Sequence, residues 1–123
     1  MGNDQIVRTI VAETVLTTFL VAASQSANHG PVDARVLPPA AYAPSDVLIE
    51  AFIEPDAQNR YVEFVIDSGA FFSSSTVELD GARAPRRKEI RFRQLPAGSY
   101  KVSVTLVGTD GRRGTAVRYV SLW

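Results

Sequence analysis

The chain has 123 residues, 46% of them hydrophobic and 21% charged, with thirteen basic side chains balancing thirteen acidic ones. That composition suits one globular domain with a modest core and excludes a chain disordered along its whole length. No cysteine is present, which excludes disulfides and thiolate metal sites and leaves the redox compartment open.

The first element is "IVAETVLTTFLVAA", residues 10–23, followed by the small polar run "SQSANHG". An apolar stretch of this length before small residues has the form of a secretory signal, with cleavage expected after Ala23, Ser24 or Ala27. About 14 residues are too few to span a bilayer that needs ~20, and Glu13 opposes insertion, so no transmembrane helix is expected. The alternative is a retained helix, because Val7, Ile10, Val11, Val15, Leu16, Phe19 and Leu20 recur at helical spacing. Residues 1–27 are thus a signal-like or helical segment. Cleavage implies a periplasmic or secreted protein, and retention a cytoplasmic one.

Residues 28–45 contain Pro31, Pro38, Pro39 and Pro44 and read as a proline-rich linker with room for one edge strand at 32–37. From Asp46 onward the period becomes two. "DVLIEAFIE" (46–54) places Val47, Ile49, Ala51 and Ile53 on one face, and "RYVEFVID" (60–67) does the same with Val62, Phe64 and Ile66. With "PDAQN" turning the chain between them, these two runs are expected to form a hairpin. A weaker strand follows in 68–81 with Phe72, Val77 and Leu79 as core candidates, then a polar connection. "EIRFRQL" (89–95) sends Ile90 and Phe92 inward, and the next run sends Tyr100, Val102, Val104 and Leu106 inward. Asp110-Gly111 is a hairpin signal leading into "GTAVRYVSLW". Six or seven short strands with Gly, Pro and Asp-Gly turns predict an all-β antiparallel sandwich over 46–123.

"LPAGSY" followed by "KVSVTLVGTDG" resembles the approach to the penultimate strand of immunoglobulin-like and fibronectin type III-like sandwiches, where a tyrosine near the strand start forms a tyrosine corner. The resemblance implies that Leu95 plugs the end of the core, that Pro96 and Gly98 shape the turn, and that the Tyr100 hydroxyl bonds to backbone upstream.

Catalytic constellations are weak. His29, the only histidine, lies in the proline-rich stretch, where nothing holds it against a serine and a carboxylate. Ser73, Ser74, Ser75 and Thr76 have no base nearby and read as an exposed strand or turn. Glu50, Glu54 and Glu63 are expected to meet across the first hairpin as an acidic patch. A carbohydrate-active accessory role or a calcium site on that patch is an alternative without a specific motif behind it. No cofactor is implied.

Charge is unevenly distributed. Residues 1–80 hold Arg8, Arg35 and Arg60 against eleven acids, a charge of about −8, while residues 81–123 hold ten basic side chains against Glu89 and Asp110, about +8. Arg86, Arg87, Lys88, Arg91 and Arg93 form a basic stripe that either meets a polyanion such as an acidic glycan or pairs with the acidic half of the chain. Stacking aromatics of the kind a single-stranded nucleic-acid surface uses are largely missing from it, so nucleic acid is not an expected partner. The outward Leu48, Phe52, Tyr61 and Val65 are expected to form an apolar patch for a protein partner or a second copy. The sequence alone therefore points to an exported, non-catalytic β-sandwich that binds a partner or self-associates in the cell envelope, with polyanion binding as the rival.

Overall fold

From residue 32 on, apolar side chains alternate with polar ones, and each such run becomes a strand. The computed structural model describes residues 27–123; the signal-like segment lies outside the described residues. The strands are β1 (Ala27–His29), β2 (Val32–Leu37), β3 (Ala40–Ala41), β4 (Ser45–Ile53), β5 (Asn59–Asp67), β6 (Phe72–Glu78), β7 (Arg87–Leu95), β8 (Gly98–Gly108) and β9 (Gly111–Leu122). They build two sheets. The larger runs β1-β9-β8-β5-β6, with the short β3 beside β9, and the smaller runs β2-β4-β7. Every ladder is antiparallel except the two-residue β3–β9 pair.

The inner faces meet in one core. β4 contributes Val47, Ile49, Ala51 and Ile53, β5 contributes Val62, Phe64 and Ile66, and β8 contributes Tyr100, Val102, Val104 and Leu106. Burying each such side chain favours folding by roughly 1.5–3 kcal/mol, so the period-two pattern decides which face of each strand turns inward.

Two sequence expectations are corrected here. β4 and β5 do not pair. β4 lies between β2 and β7 in the smaller sheet, while β5 lies between β6 and β8 in the larger one. The turn between them is a crossover: both strands bury their apolar face against the opposite sheet, which is satisfied when they face each other across the core rather than side by side. Second, residues 28–45 are more than a linker: the edge strand expected at 32–37 forms as β2, and strands form on either side of it. Val32, Ala34 and Val36 of β2 are buried in the core opposite β4, His29 sits in β1 paired with Thr115, and β3 joins β9.

Phe72 is a third correction. Its cross-strand partner is Asp67, whose side chain faces outward, so Phe72 is on the outer face and 65% exposed. Phe71 packs against the core in its place, edge-on to the Tyr100 ring at 6.1 Å. Two turns are set by local chemistry. At the β8–β9 hairpin Gly111 has φ +111°, the region the Asp-Gly signal anticipates. Between β1 and β2 Gly30 has φ +79°, and a Cβ there would lie 2.6 Å from the Arg113 carbonyl oxygen.

Candidate recognition surface

β8 begins at the tyrosine corner. Leu95 is 1% exposed, and the Tyr100 hydroxyl donates to the Pro96 carbonyl at 2.6 Å. Burial pushes the Tyr100 hydroxyl's pKa above its ordinary value, opposed by a hydrogen bond with the Ser68 side chain. Leu95 and Tyr100 thus lie inside the fold, at the β7–β8 crossover.

The acidic triplet does not assemble. Glu50 is on the outer face of the smaller sheet and only 3% exposed, because two arginines close over it. Arg35, directly opposite on β2, donates through Nε at 2.8 Å and Nη2 at 2.6 Å, and Arg87 of β7 donates to the other oxygen at 2.8 Å. Glu63 is on β5 in the other sheet, and Glu54 follows the end of β4. The second buried polar side chain among the described residues, Asn59, donates to the Glu54 carbonyl and accepts from Arg113, which also pairs with Asp56 at 3.1 Å. Both buried groups thus hold strands and loops together. Among the described residues no group of three metal-ligating side chains comes together.

The basic stripe is divided by the pleat. Arg87 is taken up by Glu50 and, at 3.5 Å, by Glu89. Lys88 alternates to the opposite face of β7, while Arg91 and Arg93 remain exposed on the outer face. Arg86 precedes the strand and lines a depression of about 500 Å³ with Pro31, Asp33, Phe52 and Glu54. The charged halves meet only in part, as in the Arg118–Asp33 bridge at 2.6 Å that joins β9 to β2.

The apolar set divides as well. Leu48 and Phe52 lie on the outer face of the smaller sheet, and Tyr61 and Val65 on the outer face of the larger one, with the core between them. What the larger sheet does gather is aromatic. The register places Phe72, Asp67, Lys101 and Tyr119 in one row across β6, β5, β8 and β9. Tyr119 is 45% exposed, and two further outward positions along the chain lies Trp123, 64% exposed. β3 brings Tyr42, 80% exposed, against Trp123 with ring centroids 5.7 Å apart. That pairing is fixed by backbone: Trp123 N–H donates to the Ala41 carbonyl at 3.0 Å and Ala43 N–H to the Trp123 carbonyl at 2.7 Å.

Sequence reasoning passed over Tyr42, Tyr119 and Trp123 and placed Phe72 in the core. The signal was present for β9: Ala116, Val120 and Leu122 share the buried parity, leaving Tyr119 and Trp123 on the opposite one.

No known family model and no curated protein matches the chain. Among solved structures it is similar to a superoxide reductase (neelaredoxin) from Ignicoccus hospitalis, with a TM-score of 0.61 and 11% identity over 78% of this chain and 83% of that one. The likeness is one of fold. A family 76 glycoside hydrolase from a bovine Bacteroides thetaiotaomicron strain is similar with a TM-score of 0.53 and 18% identity, over 75% of this chain but 20% of the hydrolase. At such identities the likeness shows the fold alone, over only a fifth of the hydrolase, and the chemistry of a site must be argued from this chain's own residues.

Proposed function

We propose that the chain is a non-catalytic, immunoglobulin-like recognition module of the cell envelope that meets its partner through the aromatic end of the larger sheet. The observation that carries this reading is the placing of Tyr42, Phe72, Tyr119 and Trp123, four of the six exposed large hydrophobic side chains among the described residues, on one outer face. Such side chains cost solvation when left bare, and Trp and Tyr supply much of the energy at recognition surfaces. The sandwich type is supported by the three-stranded β2-β4-β7 sheet facing the β9-β8-β5-β6 ladder, together with the Tyr100–Pro96 bond. Export is supported by the apolar segment at 10–23. Intact mass of the protein recovered from the envelope of its native cell tests export: loss of about 23 to 27 residues supports it, and a full-length mass in the cytosol refutes it.

Oxidative footprinting tests the surface. Adding the native envelope fraction is expected to protect Tyr42, Tyr119 and Trp123 while Phe52 stays reactive; equal labelling of all four with and without that fraction contradicts the proposal.

Polyanion binding is a second reading, favoured by the exposure of Arg91 and Arg93 on the smaller sheet. It requires affinity for heparin that falls steeply with salt and is lost in Arg91→Ala with Arg93→Ala.

A further inference from the structure

We infer that the occupant of the aromatic end is an extended, uncharged polysaccharide chain; this rests on the recognition reading above and names its partner. The first ground is spacing. Phe72 and Tyr119 close the two ends of one cross-strand row, three strand intervals apart, or about 14 Å. Trp123 directly follows β9, four residues beyond Tyr119, or about 13 Å along the extended chain. The rings are therefore spread over an open sheet face. A partner helix wants a groove and a contiguous apolar stripe, whereas spaced rings suit a ligand that repeats its own apolar faces over a comparable length.

The second ground is what lies between the rings. Asp67 and Lys101 fill the middle of the row, and Ser99 and Ser121 pair in the next outward row toward Trp123. Aromatic faces thus alternate with donors and acceptors. A pyranose chain has the matching alternation, with C–H groups on its ring faces and hydroxyls along its edges. Aromatic rings take the C–H faces, and polar side chains take the hydroxyls.

Charge is the third ground. Asp67 and Lys101 cancel at the centre of the row, while Arg91 and Arg93 are exposed on the other sheet and Arg112 lies at the far end of β9, beside the β8–β9 turn. An acidic glycan or nucleic acid would find its counter-charge there instead. The aromatic end suits a neutral ligand.

Trp123 is the only tryptophan in the chain, so its emission reports directly from this surface. The test uses the full-length protein with soluble hexasaccharides of cellulose and chitin, and co-sedimentation with insoluble cellulose, chitin, β-1,3-glucan, xylan and mannan. Expected is saturable binding to at least one of them, with a shift in Trp123 emission where the soluble form is bound, and with affinity unchanged between low and high salt. Phe72→Ala and Tyr119→Ala should each weaken it roughly tenfold or more, Tyr119→Phe should retain it, and Arg91→Ala with Arg93→Ala should leave it unchanged. Circular dichroism confirms that the variants keep the β fold, as substitutions at outward positions should. Absence of binding to every neutral glycan overturns the inference. If binding to the native envelope fraction still requires Tyr119 but disappears when that fraction is treated with protease, the partner is a protein and only the glycan assignment falls. If Phe72→Ala and Tyr119→Ala leave envelope binding intact, the recognition reading falls with it.

Discussion

Tyr100 is the residue whose contribution is most directly measurable. Its ring is 1% exposed and its hydroxyl is committed to the Pro96 carbonyl, so Tyr100→Phe should cost about 0.5–1.5 kcal/mol in urea unfolding, the net worth of one hydrogen bond. The pH dependence has a definite sign. Burial raises the pKa of this hydroxyl in the folded protein, so the native state holds the proton more tightly than the unfolded chain. That contribution is complete below the unfolded value of about 10 and is lost as pH rises through the folded one. Tyr100→Phe should therefore lose less stability than the parent as pH rises above about 10; equal alkaline losses would show that the hydroxyl is not the titrating group. Glu50 makes a different prediction. With both arginines removed (Arg35→Ala with Arg87→Ala), a carboxylate now 3% exposed loses its cationic partners, and unfolding should become easier by about 1–3 kcal/mol. Glu50→Leu, which removes the charge and lets the arginines reach solvent, should cost less. The opposite order would mean that the cluster is held by something other than its charges.

At the scale of elements, the ladder that runs through the larger sheet sets the order of local stability. β8 is paired on both sides, by β5 and β9, whereas β6 is an edge strand paired only with β5. Amide exchange should accordingly be slowest at Val102 and Val104 and faster by orders of magnitude along β6; comparable protection in the two strands would contradict the strand order. The strands themselves were legible because period two is an unambiguous signal over runs such as 46–53 and 100–106. Their pairing was not. Alternation states which residues turn inward but not which neighbouring strand supplies the hydrogen bonds, and both a hairpin and a crossover satisfy the pattern at residues 54–58. In residues 28–45 the edge strand was legible, because β2 fits between Pro31 and Pro38 where missing N–H donors are tolerated, whereas β1 and the two-residue β3 are too short to show a period. Phe72 was misplaced because its neighbour Phe71 is equally apolar; the parity of Val77 and Leu79 selects Phe71 as the inward ring.

For the whole molecule, the two sheets keep the candidate surfaces apart. The smaller sheet carries the arginine-clasped Glu50 and the exposed Arg91 and Arg93, and the larger sheet carries the aromatic end. Alternation in the sequence marks the basic stripe and the outward Leu48, Phe52, Tyr61 and Val65, yet it cannot separate the first two from the last two, because side-chain parity is the same in either sheet. A sandwich of this kind serves as a frame, and its function depends on what the outer faces hold. The measurement that tests the central claim most directly is sedimentation of the full-length protein with the envelope fraction of its native cell, comparing the parent with Tyr119→Ser plus Trp123→Ser and with Arg91→Ala plus Arg93→Ala. The parent and the arginine variant should sediment alike, and the aromatic variant, still folded, should remain in solution. Sedimentation of the aromatic variant at the parental level would contradict that claim.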